Sequence, residues 1–171
     1  MTAGAFEAAT GDGPRPGGGD AEQRSRDVRA AFDGLLQIRR ATNDRGGDPL
    51  ALPAEWERRQ PVRAVALALE AAGIVPSAVD AATGERSEMG VPPAEGWGSS
   101  ATGYRVTAGD RPGAVVVEWV GAPGSGAAHE EEQALGACVP VLGRLGWEAL
   151  LYRGPRKRRF LEVEAVGPDL R

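Results

Sequence analysis

The fold is decided by residues 102–166, which read TGYRVTAGDRPGAVVVEWVGAPGSGAAHEEEQALGACVPVLGRLGWEALLYRGPRKRRFLEVEAV. Alternating apolar and polar residues predict half-buried strands, and a nearly all-apolar run predicts a central strand that is covered on both faces. Two Gly-containing turns predict hairpins, and a helical repeat lies between them. We predict an α+β fold with a four-stranded antiparallel sheet in ββαββ order and the helix on one face. The predicted strands are 104–108, 114–120, 147–153 and 158–166, and the predicted helix is 127–145.

Two further helices are predicted before this core. Apolar residues recur at helical spacing within 20–74, so this part is interpreted as a two-helix segment whose helices pack on the sheet or on each other. The first helix is expected to end at Gly46 and Gly47. In the helix of the core, Pro140 removes a backbone donor, so a bend or a split is expected there.

The remaining residues form three segments without a hydrophobic period. Residues 1–19 are rich in Gly, Ala and Pro and predict a disordered N-terminal tail. Residues 75–101 are rich in Gly and Pro and predict a linker, with a functional flap as the alternative. Residues 167–171 are interpreted as a C-terminal tail.

Composition bounds the classes of function. The chain has 171 residues, a net charge of −4, one Cys and one His. This acidic balance argues against a surface that binds nucleic acid throughout, and a single Cys excludes an internal disulfide and argues against a zinc site. No apolar run approaches the length of about 18 residues that spans a membrane, and no signal peptide is evident. We therefore expect a cytoplasmic protein with no membrane contact, no metal and no cofactor.

A Gly-rich loop, 121–126, follows an apolar strand and precedes a helix. Its residues Gly121 and Gly126 have the spacing of a phosphate-binding P-loop, and Gly124 lies between them. Ala127 and Ala128 stand where that loop needs Lys and a hydroxyl residue, and three glutamates follow. The pattern therefore favours a plain connector over a nucleotide site.

The same loop resembles the Gly-rich strand-to-helix turn with which the GCN5-related acetyltransferases bind acetyl-CoA. The resemblance covers only residues 121–126, and Gly121 replaces the Gln or Arg with which that family's loop begins. It implies an acetyl-CoA-binding enzyme in a degenerate form.

A basic hairpin is the second candidate site. Five cations lie within seven residues at a predicted turn, with Tyr152 and Phe160 beside them. Such a turn can contact phosphates, stack on unpaired bases or hold another acidic partner. The alternative is that the charges only protect an exposed hairpin and its edge strand from aggregation. The candidate residues are Arg153, Arg156, Lys157, Arg158 and Arg159.

Three glutamates on two strands are a third candidate. Glu118, Glu162 and Glu164 could converge on one sheet face and hold Mg²⁺. The favoured interpretation is cross-strand ion pairing with arginines of the same face. The expected partners are Arg105, Arg158 and Arg159.

No pattern of residues predicts catalysis, and Cys138 lies on an apolar helical stripe typical of a core residue. The leading hypothesis is a small non-catalytic binding or adaptor protein with a protein partner. The alternative is a nucleic-acid-binding accessory protein that uses the hairpin at 153–159. A degenerate nucleotide- or acetyl-CoA-binding enzyme using 121–126 is the third hypothesis.

Overall fold

A computed structural model describes residues 6–13, 20–43, 46–79, 99–122 and 124–167. The fold is α+β, with four α-helices and a four-stranded antiparallel sheet, which confirms the predicted class and sheet. The helices are α1 (Ala21–Thr42), α2 (Glu55–Arg59), α3 (Pro61–Ala71) and α4 (Ala127–Arg144). The strands are β1 (Ala78–Val79), β2 (Ser99–Ala101), β3 (Gly103–Ala108), β4 (Val115–Val120), β5 (Trp147–Arg153) and β6 (Arg159–Ala165).

The main sheet consists of two hairpins that meet through their second strands. Its spatial order is β3-β4-β6-β5, so β4 and β6 are central and β3 and β5 are the edges. α4 connects β4 to β5 along the chain. A separate pair, β1 and β2, forms a small antiparallel ladder.

One face of the sheet, here called the inner face, is covered by α3 and α4, and α1 packs on the far side of α3. Residues 64–69 of α3 are consequently all buried, because the helix is enclosed between the sheet and α1. The sequence predicted a single apolar stripe for this helix. A run of small and aliphatic residues on every side is typical of a fully enclosed helix.

Two features of the helices differ from the sequence prediction, the end of α1 and the course of α4. α1 ends at Thr42, before Gly46 and Gly47, because the side-chain amide of Asn43 donates to the carbonyls of Pro49 (3.0 Å) and Leu52 (2.8 Å) and turns the chain.

α4 continues unbroken through Pro140. The carbonyl that loses its partner there belongs to Gly136, which is exposed and can bond to water.

Residues 6–13 lie against the fold and form part of it, which differs from the disordered tail predicted for 1–19. The Arg24 guanidinium lies 4.7 Å from the centre of the Phe6 ring. Main-chain carbonyls of this segment also accept hydrogen bonds from α1, α3, β3 and the residue before β1, and these bonds offset the cost of ordering the segment. The donors are Arg24, Arg63, Tyr104, Val106 and Ser77.

In the predicted linker or flap at 75–101, β1 lies near the start and β2 at the end, and the two strands pair with each other. Its centre, residues 80–98, lies outside the described residues, as do 1–5, 14–19 and 168–171. Within the described part of the chain, no helix is both long and apolar enough to cross a membrane.

Candidate binding surface on the sheet and the basic hairpin

The second face of the sheet, here called the outer face, has no helix on it among the described residues. The expectation that the strand at 114–120 is covered on both faces is therefore wrong, since Val116 and Glu118 of β4 point outward and are only partly buried. The side chains of this face alternate with those of the inner face along each strand. They are Arg105, Thr107, Val116, Glu118, Glu148, Leu150, Tyr152, Phe160, Glu162 and Glu164.

Most acidic groups of the outer face are paired with arginines. Arg105 binds Glu118 directly across the β3–β4 ladder, as predicted. Arg111, from the first hairpin turn, binds both Glu162 and Glu164. Arg158 and Arg159 had been predicted from the sequence as the partners of these two glutamates.

The same ion pairs involve the three glutamates that the sequence analysis considered as ligands of Mg²⁺. The carboxylates are held by guanidinium groups, and no cluster of His, Cys, Asp and Glu with metal-binding geometry occurs in the described residues. The arrangement is typical of a solvated sheet face.

The apolar part of the outer face lies on the β5–β6 hairpin. Leu150 and Tyr152 are 47% and 43% exposed. The Tyr152 ring stacks on Phe160 across the ladder, with 5.8 Å between centroids and 24° between planes. Large side chains that stay half exposed beside one another are typical of a contact surface.

The hairpin closes with a tight turn at its tip. Gly154 N–H donates to the Arg158 carbonyl (2.7 Å), and Arg158 N–H approaches the Pro155 carbonyl at 3.4 Å. Arg156 and Lys157 lie between Pro155 and Arg158, and each has a φ of 61°. Two successive left-handed residues define a turn of type I′, in which Asn-Gly or Gly-Gly is the common pair.

The five predicted cations do not form one uniform cluster. Arg159 points to the inner side, where its guanidinium binds Glu132 (3.2 Å) and its main-chain N–H donates to the Glu131 carboxylate. This attaches the hairpin to the first turns of α4.

The other four cations remain at or beside the exposed tip. Arg153, Lys157 and Arg158 form no ion pair within the described part of the structure, and Arg156 is exposed. Arg153 lies directly opposite Arg159 on the ladder, so its side chain is on the inner side. Lys157 and Arg158 lie at the tip, beyond the half-exposed Leu150 and Tyr152 of the outer face.

The three glycines of the Gly-rich loop each have a structural role among its described residues. A Cβ on Gly121 would lie 2.4 Å from Thr102 Oγ1 and 2.6 Å from Ser125 Oγ, so glycine is needed there for packing. Gly124 and Gly126 have φ of +79° and +81° and turn the chain into α4. Pro123 lies outside the described residues. The loop has the geometry of a connector.

Cys138 is fully buried, and its thiol donates to the Ala134 carbonyl (3.3 Å). Burial raises the pKa of this thiol to about 11, which keeps it protonated and unreactive near neutral pH. His129, the single His, is exposed on the first turn of α4.

A buried ion pair joins Arg39 of α1 to Glu57 of α2 and was not predicted from the sequence. A signal was present, because Val28, Phe32 and Leu35 continue at helical spacing to position 39. A charged residue at the end of a buried stripe indicates a buried partner of opposite charge.

A groove of about 720 Å³ lies between α1 and residues 70–76. Its main charged groups, Arg24 and Glu70, bind each other in two contacts of 2.8 and 2.9 Å. The hydrogen bond that Arg24 donates to Glu70 raises the pKa of Arg24. Because this pair is already satisfied, the groove offers less to a polar ligand than the hairpin does.

Comparison with protein-family models, with curated proteins and with solved structures found no match for this chain. The basis for a proposed function is therefore the geometry and charge of the surface.

Proposed function

We propose that this chain is a small non-catalytic binding protein that uses the ββαββ unit of residues 102–166 as its scaffold. Its partner is a polypeptide segment that combines acidic and large apolar side chains. The supporting observation is that half-exposed Leu150 and Tyr152 lie on the outer face near the hairpin tip, where Lys157 and Arg158 form no ion pair within the described residues. Arg153 also forms none there and lies beside the tip on the inner side.

The two parts of this surface have different roles in binding. Burial of Leu150 and the Tyr152–Phe160 stack removes apolar area from water and supplies affinity. The cations attract acidic groups and fix the orientation of the segment, since charge complementarity acts mainly on specificity and association rate. The paired glutamates of the outer face limit repulsion of an acidic partner, because Arg105 and Arg111 already neutralise much of their charge.

Selection of random displayed peptides on the full chain tests the proposal. We expect the enriched sequences to combine Asp or Glu with aromatic or large aliphatic residues. Failure to enrich any sequence, or enrichment of sequences without acidic residues, would contradict it.

Charge reversal then locates the site. The triple change Arg153→Glu, Lys157→Glu and Arg158→Glu should weaken a selected peptide by about 10-fold or more in fluorescence anisotropy. The matched control reverses three exposed arginines of α1, which changes the net charge equally and should leave affinity within about twofold. These are Arg26, Arg29 and Arg40.

A second candidate is binding of single-stranded nucleic acid, favoured by the Tyr152–Phe160 stack next to the unpaired cations. Bases stack on such rings while cations contact phosphates. Labelled DNA and RNA single strands should then bind with affinity that falls steeply between about 50 and 300 mM salt. Replacement of Tyr152 by Ala should weaken binding, and no binding at the lowest salt would eliminate this candidate.

A further inference from the structure

The two edges of the main sheet differ in how their backbone groups are paired. At the β3 edge, Tyr104 N–H donates to the Val75 carbonyl (3.0 Å), and Ser77 N–H donates to the Tyr104 carbonyl (2.9 Å). Val106 N–H donates to the Thr10 carbonyl (2.7 Å). The chain thus covers this edge with two of its own segments. At the β5 edge, the described residues supply no such cover, and β5 is paired only with β6.

The two ends of the β5–β6 hairpin show which groups face the open edge. Gly154 N–H donates to the Arg158 carbonyl (2.7 Å), and Val166 N–H donates to the Gly146 carbonyl (2.9 Å). Hydrogen-bonded positions alternate along an antiparallel ladder, so even-numbered residues of β5 bond to β6. The odd-numbered residues direct their N–H and C=O groups outward. These are Trp147, Ala149, Leu151 and Arg153.

The open edge is also apolar. Leu150, Leu151 and Tyr152 are consecutive and 43–47% exposed, which places exposed side chains on both faces of one strand. A long edge strand of this kind pairs readily with another strand unless it carries a bulge, a proline or charges in its middle. β5 is in continuous register with β6 over seven residue pairs and has none of these devices between Ala149 and Tyr152.

We propose that β5 pairs with β5 of a second copy of this chain. The strands run antiparallel about a two-fold axis at Leu150, which joins the two sheets into one of eight strands, four from each copy. This inference concerns the sheet edge and does not depend on the partner proposed above for the outer face.

The register follows from the outward-facing groups. Pairing about Leu150 sets Trp147 opposite Arg153 of the second copy and Ala149 opposite Leu151 of the second copy. All four outward-facing residues then lie in hydrogen-bonded pairs, whereas a shift by two residues in either direction leaves at least one of them unpaired. The two copies of Leu150 meet in a non-hydrogen-bonded pair, where side chains are closest.

Charge along the edge favours a second copy in this orientation. Near the start of β5, Glu148 lies directly opposite Glu164 on β6, a like-charge arrangement that destabilises a ladder. Arg111 binds Glu164, but Glu148 forms no ion pair within the described residues. The other end of the strand carries the cations of the basic hairpin. Antiparallel pairing brings the acidic end of each strand to the basic end of the other.

Sedimentation velocity on the full chain, from about 1 to 200 µM, tests the assembly. The expected result is a concentration-dependent shift from 17.8 kDa to twice that mass. A monomer throughout this range would overturn the proposal.

A proline on the open edge tests the role of the backbone. Leu151→Pro removes an outward-facing N–H that β6 does not use, so the hairpin can persist while dimerisation weakens by about 100-fold. Leu151→Val keeps that N–H and should remain dimeric. Circular dichroism and urea unfolding establish that the proline variant is folded. A folded proline variant that dimerises like the parent chain would overturn the proposal.

A charge at the two-fold axis gives the same test without a proline. Leu150→Lys places two ammonium groups side by side and should yield a monomer. The matched control is Ile38→Lys on α1, because Ile38 is similarly exposed at 43% and lies away from the edge. A Leu150→Lys variant that still dimerises would contradict this interface.

Cross-linking tests the register. In Leu150→Cys, two thiols meet at the axis within the range of a disulfide, so mild oxidation should give a covalent dimer on non-reducing gels. In Glu148→Cys, the thiol faces Tyr152 of the second copy, and cross-linking should be much slower. The buried Cys138 is present in both variants and serves as their common background. Faster cross-linking of Glu148→Cys would overturn the proposed register.

Discussion

Arg39 and Glu57 form a fully buried, two-pronged ion pair that joins α1 to α2. The contacts are 2.8 Å from Nε to Oε2 and 2.7 Å from Nη2 to Oε1, and the side chains are 0% and 1% exposed. Arg39 Nη1 also donates to the carbonyls of Leu50 (2.7 Å) and Leu145 (2.8 Å). Glu57 accepts from Ala54 N–H (2.7 Å). One guanidinium thus fixes the end of α4 against the helices before the core.

Removal of one member of this pair should destabilise the protein strongly. Glu57→Gln leaves the Arg39 charge buried without a counter-charge, and we expect a loss of about 3–5 kcal/mol in the free energy of unfolding, measured with urea. The comparison is Glu55→Gln, which breaks the exposed pair with Arg59 and should cost less than about 1 kcal/mol. Equal effects of the two changes would contradict the interpretation of this pair.

The turn of the basic hairpin should be more stable with glycine. Lys157 has φ of 61°, a conformation that is unfavourable for a residue with a Cβ. Lys157→Gly should therefore raise the free energy of unfolding by about 1 kcal/mol. Lys157→Ala removes the same charge but keeps the Cβ, so it should bring no such gain. A gain of the same size in the alanine variant would assign the effect to charge instead of backbone conformation.

Gly146 should not tolerate alanine. It has φ of +81°, and a Cβ would lie 2.3 Å from the Ala51 carbonyl oxygen and 2.8 Å from Pro53 Cδ. Gly146→Ala should destabilise the protein by more than about 2 kcal/mol. Alanine is unfavourable at this positive φ, and its Cβ would overlap with both of these atoms. Gly143 lies in α4, where an added Cβ would meet no atom within 4 Å, and Gly143→Ala should stabilise by about 0.5–1 kcal/mol. Thermal unfolding of both variants checks the contrast.

Stability should fall at alkaline pH because two buried groups resist deprotonation. Burial raises the pKa of Cys138 from 9.0 to about 11, and burial also raises the pKa of Tyr104. A raised pKa in the folded state contributes stability below the unfolded pKa, and this contribution is lost as pH rises through the folded pKa. For Cys138 the loss should be roughly 2–3 kcal/mol between about pH 9 and 11.

Urea unfolding at about pH 7, 9 and 11 measures this loss. Cys138→Ala should be less stable at neutral pH, since it trims a core side chain, but should show a shallower decline across the alkaline range. An unchanged slope would show that the thiol is not responsible.

The sheet was predictable because its signals are local. Strand alternation in β3, the glycines of the first hairpin turn and the Gly-Pro turn before Arg156 each lie within a few residues. Hairpins formed from neighbouring strands then leave few arrangements for an antiparallel sheet. Which face remains open was not predictable, because the apolar residues of β4 are consistent with cover on either face.

The candidate surface was predictable only in part. The five cations were evident from the sequence, but their separation into Arg153 and Arg159 on the inner side and the other three at the tip depends on the phase of the strand at the turn. Arg111 is far along the chain from Glu162 and Glu164, so their pairing follows from the β4–β6 ladder and not from any local pattern. The ion pair of Arg39 and Glu57 also joins residues that are distant along the chain, so no local pattern predicts it.

The docking of residues 6–13 on β3 has a consequence for synthesis on the ribosome. The Tyr104 hydroxyl donates to the Ala9 carbonyl (2.8 Å), and Val106 N–H donates to the Thr10 carbonyl (2.7 Å). After residues 6–13 are synthesised, nearly a hundred further residues must be translated before these partners are available. Contacts so distant along the chain form slowly, so this edge of the sheet closes late in folding.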